Sequence, residues 1–151
     1  MKYIPETYLQ ETNLMKKIIS ILLVIIWMTL IFTMSSFNSN DSSNQSSFIV
    51  TIISNIININ NLEILSIIIR KLAHFTEYLI LGILMHNLTN IYNKNMHISM
   101  IICILYAISD EIHQLFVPGR SFQIIDIGID CFGSIIGIYI FYLINKHIKK
   151  E

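Results

Sequence analysis

The chain has 151 residues, of which 54% are hydrophobic and 13% charged, and its ten basic and ten acidic residues cancel. Soluble domains carry about 25% charged residues, so this chain has too few for an ordinary soluble surface, and its mean hydropathy is +0.62. Because there is no basic excess, the composition gives no support to nucleic-acid binding and favours a small helical membrane protein.

The first predicted element is a transmembrane helix over residues 18–34. Residues 1–17 are polar and end in Lys16 and Lys17, after which the sequence is continuously apolar. A run of about 17 residues is the lower limit for a bilayer span. No small-residue cleavage site follows it, so we expect an uncleaved helix rather than a signal peptide.

The stretch after the first span is predicted to stay out of the hydrocarbon core. Residues 35–47 form a Ser/Asn-rich loop. Residues 48–69 are rich in isoleucine at helical spacing but contain several asparagines and Glu63. Those polar groups make a lipid-exposed span costly. We therefore predict an amphipathic segment that lies at the membrane interface.

Three further apolar stretches complete the predicted membrane domain. They cover residues 72–92, 98–117 and 122–144. The sequence thus predicts an all-α fold, a polytopic four-transmembrane-helix bundle over residues 18–144 with the interfacial segment between its first two helices. A basic tail, residues 145–151, follows the bundle.

The distribution of positive charge predicts the orientation of the bundle. With four spans, one side of the membrane holds Lys2, Lys16, Lys17, Lys94, Lys146, Lys149 and Lys150. The other side holds only Arg70, Lys71 and Arg120. The positive-inside rule then predicts a multi-pass protein of the cell membrane with both termini in the cytoplasm.

Polar side chains are concentrated at one end of the predicted spans. They are Lys71, His74, Glu77 and Tyr78 in the second span, Asp110, Glu111, His113 and Gln114 in the third, Arg120 in the turn, and Asp126 and Asp130 in the fourth. Charged groups inside a span cost roughly 2.5–3.5 kcal/mol each at its centre. Since lipid cannot satisfy them, we expect them to face a common cleft that opens to the outer leaflet.

The residue types suggest roles within that cleft. Lys71 and Arg120, with Arg70 as a further candidate, would hold an anionic head group, because cationic side chains suit phosphate and carboxylate. Asp110, Glu111 and His113 are the candidates for general acid/base chemistry. The remaining polar residues would bind the ligand, with Asp126 and Asp130 orienting Arg120 or a metal. The predicted partner is a membrane lipid or a lipid-linked envelope precursor.

Other interpretations of the same residues stay open. The His and carboxylate side chains include enough ligands for a divalent metal, and the i, i+3 pairs His74/Glu77 and Asp110/His113 resemble ligand pairs in helical bundles. The charges could instead pair with each other and only lock the helices of a non-enzymatic membrane factor. Intramembrane carboxylates and histidines could also serve a proton- or ion-coupled transporter.

Two strings of the sequence resemble a known family. RKLAHFTEYLILGIL (residues 70–84) and YAISDEIHQLFVPGRSFQIIDIGIDCFGSIIG (residues 106–137) are similar to the VanZ-like family of small bacterial integral membrane proteins. The string FTMSS (residues 32–36) also resembles the family, although Phe37 stands where a glutamine is typical. The resemblance implies the positions named above, with Pro118 and Gly119, as functional residues. It also implies a link to reduced susceptibility to teicoplanin, a lipoglycopeptide antibiotic.

Overall fold

The computed structural model describes residues 6–37, 50–52 and 61–148, with side chains from residue 10 onward. This part of the chain is helical and contains no strand. The long helices are α1 (Glu6–Ser35), α2 (Leu62–Ile91), α3 (Met96–Gln114) and α4 (Ile124–Ile148). The prediction of an all-α fold is therefore confirmed.

Helix α2 begins ten residues earlier than the predicted second span, and an N-cap residue determines its first residue. The side chain of Asn61 accepts a hydrogen bond from the backbone N–H of Ile64 at 3.2 Å, as an N-cap does. From there residues 62–91 form one helix. The described end of the predicted interfacial segment, residues 62–69, is thus continuous with the second span. Residues 48–49 and 53–60 of that segment lie outside the described residues, so its interfacial position stays a prediction.

The turn between α3 and α4 is longer than the sequence suggested. Helix α3 ends at Gln114 and α4 begins at Ile124, whereas the predicted limits were 117 and 122. A residue before proline is disfavoured in the helical conformation, and Pro118 follows shortly after the end of α3. Gly119 has a φ of 77°, a left-handed backbone conformation that residues with side chains rarely adopt.

Three helices in the described part of the chain are long and apolar enough to cross a membrane. They are Gln10–Ser35, Met96–Gln114 and Ile124–Ile148. Helix α2 does not meet this description because polar residues are frequent in its first half and again in its last turns. It contacts all three other helices, so its polar side chains can face protein. The count of four spans remains a prediction.

Helices α2 and α4 pack most closely because glycines line their contact. Gly133 and Gly137 of α4 lie against the backbone of Phe75 and Leu79, and Gly82 of α2 lies against the backbone of Ser134. Small residues allow helix backbones to approach in this way. The contact fixes α4 beside the polar first half of α2, which positions the site described next.

Candidate functional site

One end of the bundle, here called the polar end, gathers side chains from all four helices and the α3–α4 turn. Its residues are Ser35 and Ser36 of α1, Arg70 to Tyr78 of α2, Asp110 to Gln114 of α3, Arg120 of the turn, and Asp126 and Asp130 of α4. The lysines at positions 17, 94 and 146 lie at the opposite end, with Lys17 5.2 Å from the ring centre of Tyr92. The expected convergence of polar residues is thus present.

Helix α1 closes the polar end through hydrogen bonds to α3. The side-chain amide of Gln114 donates to the hydroxyl of Ser35 at 3.0 Å, and both residues are buried. The hydroxyl of Ser36 lies 3.0 Å from Nε2 of His113. Phe32 packs against the His113 ring, with 4.3 Å between ring centres. His113 and Gln114 therefore hold α1 in place.

A cleft with two arginines opens at the polar end. This arginine cleft has a volume of about 140 Å³ and is lined by Arg70, His74, Gln114, Gly119, Arg120, Ser121, Gln123 and Asp126. Arg120 donates from Nε to the carbonyl of Phe37 at 3.0 Å, which fixes its side chain over the turn. Within the described residues, neither arginine forms an ion pair with a carboxylate.

Arg120 lies among charges of both signs. Burial, and after it the positive charge of Arg70, lowers the pKa of Arg120, while the carboxylates of Asp110, Glu111 and Asp126 act in the opposite direction. Lys71, in contrast, forms an ion pair with Asp126, and both side chains are partly buried. Lys71 does not line the cleft, whereas Arg70 and Arg120 do.

Deeper in the polar end, three helices bring a histidine and two carboxylates together. His74 of α2, Asp110 of α3 and Asp130 of α4 each have a ligand atom within 4.8 Å of those of the other two. Asp110 and Asp130 are 2% and 1% exposed. We call these three residues the buried triad. Tyr78, one helical turn after His74, is completely buried.

The three residues predicted to act in catalysis point in different directions. Asp110 joins the buried triad, whereas His113 faces α1. Glu111 accepts a hydrogen bond from the backbone N–H of Gln123 at 2.5 Å, just before α4 begins. Successive helical residues are rotated by about 100°, so neighbouring positions on α3 meet different partners. Glu111 thus ties the α3–α4 turn to α3.

An apolar groove lies on the other side of α2. It has a volume of about 420 Å³ and is lined by Trp27, Leu30, Ile69, Leu72, Ala73, Thr76, Glu77 and Ile80. The indole N–H of Trp27 donates to the carbonyl of Glu77 at 2.9 Å and so links α1 to α2 below the groove. Glu77 also lies 3.9 Å from Nδ1 of His74, between this groove and the buried triad.

A second polar cluster was missed by sequence reasoning. Ser99 of α3 is completely buried, and its hydroxyl lies 2.6 Å from that of Thr89 and 3.1 Å from Nδ1 of His86. A serine and a threonine facing each other across α2 and α3 carry no distinctive sequence signal. The cluster lies near the α2–α3 turn, far along the bundle from the buried triad.

Packed apolar helices with a polar site at one end define an integral membrane protein of the helical-bundle class. Residues 20–145 match the model of the VanZ/LLP1 family, and the chain belongs to that family. The match covers the whole polar end, in agreement with the resemblance seen in the sequence. No curated protein matches the chain, and no solved structure matches it.

Proposed function

We propose that the arginine cleft binds the anionic head group of an amphiphilic cell-envelope molecule, such as a lipid-linked precursor. The observation that carries this proposal is that Arg70 and Arg120 line one cleft and, among the described residues, neither forms an ion pair with a carboxylate. Asp126, which lines the same cleft, is paired with Lys71. Two guanidinium groups held close repel each other, and an anion between them relieves that repulsion. Their planar N–H donors suit phosphate or carboxylate oxygens.

The apolar groove supports an amphiphilic ligand rather than a small anion. It begins beside Ile69 and Ala73, whereas Arg70 and His74 of the same turns line the arginine cleft. A head group in the cleft and a hydrocarbon chain in the groove would therefore lie on adjacent faces of α2. In the proposed orientation both sites open towards the outer leaflet, where such molecules are processed.

Binding to the purified full-length protein in detergent tests the proposal. The probes are a polyisoprenyl monophosphate, the uncharged polyisoprenol and inorganic phosphate. We expect the lipid phosphate to bind tightly, the alcohol weakly and free phosphate least. Arg70→Gln and Arg120→Gln should each reduce binding of the lipid phosphate at least tenfold, and Ala73→Trp should reduce binding of both lipids.

Lys94→Gln is the control, because it removes an equal charge at the opposite end of the bundle, where Lys94 is exposed. Equal binding by the wild type and both arginine variants would refute the proposal. Loss of folded Arg120→Gln protein, with unchanged binding by folded Arg70→Gln, would support the competing class, a membrane factor whose charged network is structural. Observed bonds that favour that class are the Lys71–Asp126 ion pair and the Glu111–Gln123 hydrogen bond.

The link to teicoplanin follows from the same binding chemistry. Teicoplanin carries a lipid tail and acts on envelope precursors at the membrane surface, so a site for anionic amphiphiles would act on the drug or on its target. We propose that expression of this protein lowers teicoplanin susceptibility in a sensitive host. The Arg120→Gln variant, expressed at the same level, should fail to do so, and equal protection by both would separate resistance from the cleft.

A further inference from the structure

The buried triad is built like the ligand set of a metal ion. His74, Asp110 and Asp130 come from three different helices, and their ligand atoms lie within 4.8 Å of one another. Nδ1 of His74 is 3.9 Å from Oδ1 of Asp130. Metal–ligand bonds to histidine nitrogen and carboxylate oxygen are about 2.0–2.2 Å long, so two ligands of one ion lie at most about 4.4 Å apart. Small side-chain rotations would close the remaining difference.

Four polar atoms of the triad are buried without a hydrogen bond of normal geometry. They are both carboxylate oxygens of Asp110, Oδ1 of Asp130 and Nδ1 of His74, and within the described residues none of them has a hydrogen-bond partner. The Tyr78 hydroxyl beside them is likewise buried without a hydrogen bond of normal geometry. The hydroxyls of Ser35 and Tyr78 are polar neighbours of Asp110. Buried polar groups in proteins are nearly always hydrogen-bonded, paired or bound to metal. Four unpartnered atoms that face one another therefore point to a missing ligand.

The charge of the missing ligand follows from the residues. Two buried carboxylates face each other, and among the described residues neither lies within ion-pair distance of a lysine or arginine. A dication would neutralise both carboxylates at once, while a neutral histidine would supply the nitrogen ligand. Imidazole favours zinc and related transition metals, and carboxylates also suit manganese.

We propose that His74, Asp110 and Asp130 bind a divalent transition-metal ion, Zn²⁺ or Mn²⁺, in the interior of the polar end. Three protein ligands leave at least one coordination position open, as in metal sites that act on a bound ligand. His74 also lines the arginine cleft. If the proposed function holds, the metal and the anionic head group would therefore share this side chain as a neighbour.

Metal analysis of the wild type is the primary test, and it needs no lipid. The full-length protein is purified in detergent without chelator, and its metal content is measured by plasma mass spectrometry. We expect stoichiometric zinc or manganese. A strong chelator should remove the ion and lower the unfolding temperature, and added Zn²⁺ or Mn²⁺ should restore it. Cobalt substitution should give a visible absorption spectrum typical of nitrogen and oxygen ligands.

Variants assign the ion to these residues. His74→Gln and Asp110→Asn should each lose the metal and the thermal response to added ions. Glu111→Gln is the matched control, because this buried carboxylate is the next residue of α3 but contacts Gln123 instead; it should keep the metal. Wild-type protein without transition metal, whose unfolding temperature is unchanged by chelator and by added ions, would overturn the proposal. Metal retained in both folded triad variants would overturn it too.

The metal test and the lipid test fail independently. Metal binding with no preference for the lipid phosphate would leave the triad site intact and refute the proposed function. Lipid binding that depends on Arg120, in a protein without metal, would do the reverse.

Discussion

A Cβ atom added to Gly133 would stand 2.5 Å from the carbonyl oxygen of Phe75. Substitution by alanine therefore forces α2 and α4 apart, and overpacking of this kind costs about 1–3 kcal/mol. Gly128→Ala, on the same helix, is the control because it meets open space. We expect Gly133→Ala to lower the unfolding temperature in detergent and Gly128→Ala to leave it unchanged or raise it. Equal behaviour of both would mean that the helices are not in contact at Gly133.

The ion pair between Lys71 and Asp126 should behave as a coupled unit. Lys71→Met leaves the Asp126 carboxylate, which is 17% exposed, without its partner. Because a desolvated charge without a partner is costly, we expect a loss of about 1–3 kcal/mol. Adding Asp126→Asn should recover part of that loss. A double-mutant cycle measured by unfolding gives the coupling, and strict additivity would contradict a direct pair.

Glu111 should stabilise the start of α4 rather than take part in chemistry. Glu111→Ala removes the acceptor for the Gln123 N–H and leaves that group without its partner. Glu111→Gln keeps an oxygen in place and should have a smaller effect. Hydrogen–deuterium exchange should show faster exchange over the first turn of α4 in Glu111→Ala only. Unchanged exchange there would remove this role.

Tyr106 links α3 to α1 through a single hydrogen bond. Its hydroxyl donates to the carbonyl of Met28 at 2.6 Å. Tyr106→Phe should lower stability by about 1 kcal/mol, the usual value of one such bond. Tyr139→Phe is the control, since Tyr139 is 53% exposed. The two variants are compared by thermal unfolding, and an effect of similar size in both would indicate a general cost of losing a hydroxyl.

The Ser99 cluster should contribute to stability without touching the cleft. Ser99→Ala removes a buried hydrogen-bond partner of both Thr89 and His86, and we expect the free energy of unfolding to fall by about 1–3 kcal/mol. Ser109→Ala, whose hydroxyl is exposed and bonds its own helix, should be nearly neutral. Binding of the lipid phosphate should be the same in both folded variants. A selective loss of binding in Ser99→Ala would connect the two ends of the bundle.

Much of the helical architecture could be predicted because it depends on local patterns. Apolar runs and the polar residues at their ends placed His74, Asp110 and Asp130 at one level. The sequence could not show which neighbour each side chain meets, since that depends on how the helices rotate against each other. For the same reason, Glu111 and His113 were grouped with Asp110, although they contact the turn and α1.

The start of α2 was less predictable for a physical reason. Isoleucine and asparagine alternate before Leu62, and neither residue favours a helix strongly. The break expected between residues 69 and 72 does not occur, because the helix continues from its Asn61 cap. Arg70 and Lys71 are therefore neighbours on a continuous helix, and the helix directs their side chains towards different partners. A loop at this point would not have set those directions.

The triad has a consequence for how the protein is made. His74 and Asp110 leave the ribosome before Asp130, because α4 is the last helix of the described chain. Until α4 is inserted, those two polar side chains lack Asp130, and α2 lacks the glycine contacts that hold α4 beside it. We expect a chain truncated before residue 124 to be recognised by quality-control proteases, so that biogenesis of the bundle is completed only with its final helix.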